Sequence, residues 1–329
     1  MYFNFSNAKR IFGLLMLGAM LAGPQIVSAQ LAYPQRPVKV VVAFTAGGTT
    51  DILARLVAQQ LTEKFKQPFV IDNKPGAGGN LGTEIVVKAP ADGYTLIVNS
   101  VGPMAVNASL YGKLPFNPQT DLIPIVQIAD VPNVLVVNPN VPVKNMEEFL
   151  AYAKANDGKL NYGSTGIGTS SHLSSFMLGR RAGFEATHIP YKGADALKDL
   201  LAGRIQYMFA TIPSVMSQIQ AGKLRPVAVS SLKRSRSLPD TPTVVETGFP
   251  NFEAGSWFGF FAPKGTPDIV VSNLNKAVNE ILGSPALEQQ MIAQGADPAG
   301  GSAAQFGQFV QRETEKWRVI VKESGAKAE

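Results

Sequence analysis

The segment Val38-Lys39-Val40-Val41-Val42-Ala43-Phe44-Thr45-Ala46-Gly47-Gly48-Thr49-Thr50-Asp51 constrains this chain more than any other stretch. A β-branched run stops at a glycine pair, and residues at helical spacing (Ile52, Leu53, Leu56, Val57, Leu61) begin at once. The pattern predicts a strand, a tight turn and a helix N-terminus in succession. Such a turn leaves backbone N–H groups unpaired at the positive end of a helix dipole. Glycine keeps Cβ atoms away from those groups, so the turn suits an anion and brings no group that would transform one.

Leu160-Asn161-Tyr162-Gly163-Ser164 repeats the device downstream. It runs into Thr165-Gly166-Ile167-Gly168-Thr169-Ser170-Ser171 and then a helical stretch through His172, Leu173, Phe176, Met177 and Leu178. Ser and Thr at a helix start cap it and can also donate to a carboxylate. Taken singly, each turn reads equally as a well-capped helix start. Two of them, in separate parts of the chain, suggest a cleft with a nest of donors on each wall.

The N-terminus reads as an export signal over residues 1–29. Lys9 and Arg10 form a charged n-region, Ile11 to Gly23 is an apolar run short of a comfortable membrane span, and Val27-Ser28-Ala29 supplies small residues for cleavage before Gln30. The chain has no cysteine, which excludes disulfides, thiolate metal sites, cysteine nucleophiles and lipoprotein processing. A free, soluble protein outside the cytoplasm is expected. The formal charge of +6 becomes about +4 once Lys9 and Arg10 leave. The dense basic cluster Lys233-Arg234-Ser235-Arg236 lies beside Pro239 without interleaved aromatics, so it reads as a solvated loop, and no nucleic acid is expected as a partner. The mild positive charge suits attraction of acidic small molecules.

From Val38 onward strand-like and helix-like segments alternate, the signature of parallel sheets covered by helices. Breaks at Ala129-Asp130-Val131-Pro132-Asn133 and at Gly248-Phe249-Pro250-Asn251-Phe252-Glu253 divide the chain. The expected fold is therefore α/β with two domains, each a mainly parallel sheet flanked by helices. Residues 30–130 and 254–329 would form the first, discontinuous domain, and residues 131–253 the second. Two crossovers between domains make a natural hinge. Two amphipathic helices close the chain, one striped by Val270, Leu274, Val278, Ile281 and Leu282, the other by Phe306, Phe309, Val310, Trp317, Ile320 and Val321.

The order of landmarks resembles the Bug-type extracytoplasmic receptors of tripartite tricarboxylate transporters. The matching segments are Tyr33-Pro34-Gln35-Arg36-Pro37, Phe44 to Asp51, Asp72-Asn73-Lys74-Pro75-Gly76-Ala77-Gly78-Gly79-Asn80 and Ala91-Asp92-Gly93-Tyr94-Thr95-Leu96. They continue with Gly163 to Gly168 and His172, Pro190-Tyr191-Lys192-Gly193, Ala221-Gly222-Lys223-Leu224-Arg225, Leu238-Pro239-Asp240-Thr241-Pro242-Thr243 and Ala262-Pro263-Lys264-Gly265-Thr266-Pro267. The resemblance implies a two-domain periplasmic solute-binding protein, a clamshell that delivers small organic acids to a membrane permease. It further implies that the ligand carboxylate lies between the two loops. Ala46, Gly47, Gly48, Thr49 and Asp51 would come from the first, and Ser164, Thr165, Gly168, Thr169 and Ser170 from the second. Phe44 and Ser100, at strand C-terminal ends, would shape the pocket. Members commonly carry a third glycine where Thr49 stands and an Asp-Asn pair where this chain has Ala210-Thr211. Loss of that acid favours a mono- or dicarboxylate, aromatic or aliphatic, over an amino acid or a cation, and the small Ala210 leaves room for an apolar body.

Asp51 and His172 each admit two readings. Asp51 at a helix start either complements the dipole and orients the loop or faces the ligand. His172 is either buried and hydrogen-bonded or a ligand contact. An alternative function is a secreted α/β hydrolytic enzyme using Ser164 or Ser170, His172 and Asp195. The Gly-x-Ser-x-Gly elbow that reading needs is missing, and two separated histidines do not make a metal site. Neither catalysis nor a cofactor is expected.

Overall fold

β1 (Val38–Val42) buries four of its five residues, as a β-branched run does when both faces of its sheet are covered. It pairs in parallel with β2 (Phe69–Asn73) on one side and β3 (Thr95–Ser100) on the other. The helix Thr49–Phe65 makes the connection from β1 to β2. The computed structural model describes Met1 and residues 33–324 and 326–328. The charged n-region, the apolar run and the cleavage site expected near Ala29 lie outside the described residues.

Beyond β3 the chain forms a π-helical turn at Gly102–Val106, a short helix at Asn107–Leu110 and then β4 (Leu122–Val131). Pro132 follows, and β5 (Asn133–Val137) continues in a different sheet. A residue without an N–H breaks the ladder where the chain changes lobe. The second lobe adds β6 (Leu160–Ser164), β7 (Ala186–Pro190), β8 (Tyr207–Thr211) and β9 (Arg225–Val229). The return crossing leads to β10 (Ser256–Pro263), and β11 (Asp297–Gly300) is the last strand. The sheets run β11-β4-β10-β3-β1-β2 and β7-β6-β8-β5-β9.

Both sheets are mixed, a correction to the expectation that each is mainly parallel. The β2-β1-β3 and β7-β6-β8 groups are parallel as the alternation predicts. β10 is antiparallel to β3 and β4, β11 is antiparallel to β4, and β5 is antiparallel to β8 and β9. β5 and β10 start at the two lobe crossings and run away from them, so each opposes neighbouring strands whose C-terminal ends lie there. The helix Ala303–Ser324 lies over the first lobe, with Phe306, Val310, Trp317 and Val321 buried. Trp257 of β10 meets Phe306 edge-on at 5.7 Å. The aromatic stripe read from the sequence is core packing.

Candidate functional site

Two glycine-rich turns, one from each lobe, meet across the cleft. The first follows β1, and Gly48, with extended backbone (φ −79°, ψ 164°), is the N-cap of the helix Thr49–Phe65. No side chain caps this helix, so among the described residues the first-turn N–H groups of Thr49, Thr50 and Asp51 keep no intrahelical acceptor. The second follows β6 and leads into the helix Ser170–Ala182, whose N-cap Thr169 accepts from the His172 N–H at 3.4 Å. Both helix starts point their dipoles' positive ends into the cleft.

Between them lies a cavity of about 50 Å³. At roughly 10–15 Å³ per water that is room for about four waters. Its polar wall consists of Gly48, Thr49, Thr50 and Ser100 from one lobe and Thr165, Thr169 and Ser170 from the other. Leu197, Met208 and Val215 make an apolar side, Phe44, Val101 and Phe258 another, and Thr211, Ser214 and Ser256 add hydroxyls. No Asp, Glu, Lys, Arg or His lines the cavity among the described residues. Uncharged donors alone would therefore meet whatever it holds.

Of the residues singled out from the sequence, Phe44, Gly48, Thr49, Ser100, Thr165, Thr169 and Ser170 line this cavity. Ala46, Gly47, Asp51, Ser164, Gly168, His172 and Ala210 do not, each for an identifiable reason. Ala46 is exposed at the turn's outer edge. Gly47 gives its N–H to Asp51 Oδ2 at 3.0 Å, which removes that donor from a ligand. Asp51 is 3% exposed and also takes hydrogen bonds from Arg55 Nε (2.9 Å) and Asn73 Nδ2 (3.0 Å). Burial pushes its carboxyl up, but the donors Arg55, Gly47 and Asn73 outweigh burial and hold it below the usual value. Asp51 is thus the internal anchor of the first turn. Gly168 packs against Asn107 and Leu110 of the opposite lobe, and Ala210 sits in the second lobe's core with Val134 and Val136.

Ser164 and His172 belong to a buried column instead of the cavity wall. The Ser164 hydroxyl lies 2.7 Å from His188 Nε2 and bonds the Gly166 backbone. His172 Nδ1 accepts from the Gly168 N–H at 3.3 Å. The two imidazoles stack at 4.1 Å, and the stack continues through Tyr162 to Tyr207. Burial pushes His172 down to about 4; burial and the His172 ring push His188 down to about 3. Both are neutral at physiological pH. Asp195, the third member of the hydrolase alternative, pairs with Lys198 at the surface (2.8 Å). The proposed triad is not assembled. Among the described residues, no group of three or more His, Cys, Asp and Glu could hold a metal ion, and no helix is long and apolar enough to cross a membrane.

A wider cavity of about 550 Å³ lies against the lobe crossings, where Asp130, Glu253, Asp297 and Glu313 alternate with Lys233, Arg234, Arg236 and Lys316. Arg236 pairs there with Asp297 (2.6 Å) and Lys316 with Glu253 (3.5 Å). Ser256 lines both cavities. Lined by charged side chains of both signs, this second space does not match the uncharged donor set of the cleft.

Ser214, and the helix start that follows Thr211, carried a readable signal beyond the Ala210-Thr211 substitution noted above. Thr211-Ile212-Pro213-Ser214 is a strand end followed by a proline in a helix's first turn, a third helix start aimed at the same cleft. Ser256 and Phe258 carried none, because β10 joins the site from across the whole second lobe.

A family model described as tripartite tricarboxylate transporter family receptor matches residues 53–326. Protein BugT of Bordetella pertussis is 37% identical over 326 residues, covering 98% of this chain and 99% of that one. An R. palustris protein solved with adipate superposes with a TM-score of 0.88 at 40% identity, over 89% of this chain and 98% of the other. The periplasmic binding protein BugD gives 0.87 at 36% identity over 90% and 100%. MatC from Rhodopseudomonas palustris, with bound malate, gives 0.83 at 33% identity over 88% and 100%.

Proposed function

Because this chain belongs to the tripartite tricarboxylate transporter receptor family, we propose that it captures a small organic carboxylate in the cleft between its lobes and delivers it to a membrane permease. The family consists of solute-binding receptors and not enzymes, so the hydrolytic alternative is set aside. One observation carries the choice of ligand. The cavity wall is built from one uncapped helix start, a second capped by its own Thr169, and a ring of hydroxyls, with no charged side chain among the described residues. That set of donors recognises a carboxylate, offers a cation no negative charge, and leaves selection to shape.

The ligand is read as a mono- or dicarboxylate. One carboxylate sits among the N–H groups of Thr49 and Thr50 and the hydroxyl-bearing turn Thr165–Ser170, its body lies against Leu197, Met208 and Val215, and Thr211, Ser214 and Ser256 stand ready for a second polar end. Adipate and malate in the related structures are of this class. The lobes act as domains bounded at 30–130 with 254–329 and at 131–253, working as a monomer in the periplasm after cleavage behind Ala29.

A thermal-shift screen of organic acids on residues 30–329 tests the reading. A bound acid at about 100 times its dissociation constant stabilises by ~2.7 kcal/mol. Stabilisation by sugars, amines or metal ions with a flat response to carboxylates would overturn it.

A further inference from the structure

Thr45 fastens the cleft at its mouth without lining the cavity. Its Oγ1 donates to the Lys192 carbonyl at 3.1 Å and accepts from the Ala194 N–H at 2.8 Å. Thr45 follows β1 in the first lobe, whereas Lys192 and Ala194 follow β7 in the second, so one hydroxyl bonds both ways across the lobes. Between its two partners stands Gly193, at φ +67°, where a Cβ would lie 2.5 Å from Thr45 Oγ1 and 3.0 Å from Thr45 N. Only glycine permits this approach.

Both ends of the contact are braced against the ligand walls. The Thr45 carbonyl accepts from the Gly48 N–H at 3.4 Å, within the first turn. On the other side Gly193 N–H donates to the Thr165 carbonyl (3.0 Å) and Tyr191 N–H to the Ser164 carbonyl (3.1 Å), within the second. Gly48, Thr165, Gly193 and Ala194 all line the cavity. The hydroxyl therefore sits one bond behind the wall on each side.

We propose that Thr45 is a positioning residue, a latch that sets the balance between open and closed lobes and thereby the affinity for the ligand, which it does not touch. The proposal rests on the receptor reading above. Both hydrogen bonds exist only when the lobes are closed, so they favour that state over the open one. Apparent affinity scales with the fraction of protein in the binding-competent form. In an isosteric Thr45→Val protein the closed state loses both cross-lobe hydrogen bonds: the part-buried Ala194 N–H is left without its acceptor, while the exposed Lys192 carbonyl turns to water. Thr45→Ser keeps the hydroxyl.

The test is made on the ligand-free protein. The chain has no cysteine of its own, so spin labels on Glu63→Cys and Lys154→Cys, exposed positions on opposite lobes, report the interlobe distance. The native protein should show a closed population, Thr45→Val should shift the balance toward open by roughly tenfold, and Thr45→Ser should restore it. Equal distributions for native and Thr45→Val overturn the proposal. So do a native protein already fully open, or a serine variant that behaves like valine. Failure of every carboxylate in the thermal screen would sink the receptor reading while leaving this measurement to decide the latch.

Discussion

Thr49 Oγ1 and Thr211 Oγ1 stand 2.7 Å apart, one on each lobe, and both face the cavity. The pair joins the start of the first-turn helix to the end of β8, at the point proposed above for the carboxylate. Whatever occupies position 211 therefore acts on the ligand's charge directly. Thr211→Asp should lower affinity for organic anions by roughly 100-fold or more, since two negative charges would share a poorly screened cavity. Isothermal titration with an acid from the screen checks it; retained anion affinity would place the ligand elsewhere.

Gly48 and Gly168 should fail differently when enlarged. A Cβ on Gly48 meets only ordinary contacts, with Thr45 O at 3.5 Å and Ala194 Cβ at 4.0 Å, so a longer side chain enters the cavity. Gly48→Leu should abolish binding while the melting temperature barely moves. Gly168 sits at φ +80°, and a Cβ there would collide with Asn107 Oδ1 and lie 2.7 Å from Leu110 Cδ2. Gly168→Ala should hold the lobes apart or lower stability, read by scattering and by thermal melting. Equal behaviour of the two variants would contradict the assignment of walls.

Removal of the Asp51 carboxylate should loosen the first turn from within. Asp51→Ala leaves Gly47 N–H and Asn73 Nδ2 without their acceptor and Arg55 without its ion pair. The expected cost is ~2 kcal/mol of stability, with affinity falling as the turn loses its shape. Because the native carboxyl is held below its ordinary value, its contribution is present above the unfolded pKa near 4 and is lost as pH falls through the lower folded value. Denaturant melts at pH 7 and pH 3 on both proteins should show the gap closing in acid. An undiminished gap would mean that the carboxylate's charge contributes nothing.

Acid should also act through the stacked histidines. Their folded values, about 4 for His172 and about 3 for His188, lie below the ordinary 6.5. Above pH 6.5 both states are neutral and nothing is lost. As pH falls below 6.5 the unfolded chain binds protons that the folded chain refuses, at up to about 1.4 kcal/mol per pH unit for each ring. The melting temperature should therefore drop between pH 6.5 and 4, and His172→Phe should flatten that drop. An equal slope in the variant would show that the rings are solvated.

The strand–turn–helix at Val38–Asp51 and its repeat at Leu160–Ser171 were legible because everything in them is local. A β-branched run, glycines at the turn, and helical spacing afterwards leave the backbone few alternatives. The α/β class, the two crossings at Pro132 and before Ser256, and the core role of Phe306 and Trp317 followed from periodicity and breaks in the same way.

What the tertiary structure decided is which atoms of those turns remain free. Gly47 and Asp51 satisfy each other, Ser164 turns to His188, and His172 joins an aromatic column, all through partners that spacing along the chain cannot rank. Ser256 and Phe258 reach the cavity on a strand that returns from the second lobe, and the mixed polarity comes from β10 in the first sheet and from β5 in the second. The physical reason is range. Helix starts and turns are set by a few neighbouring dihedrals, whereas burial and hydrogen-bond pairing are settled by residues brought together across the fold.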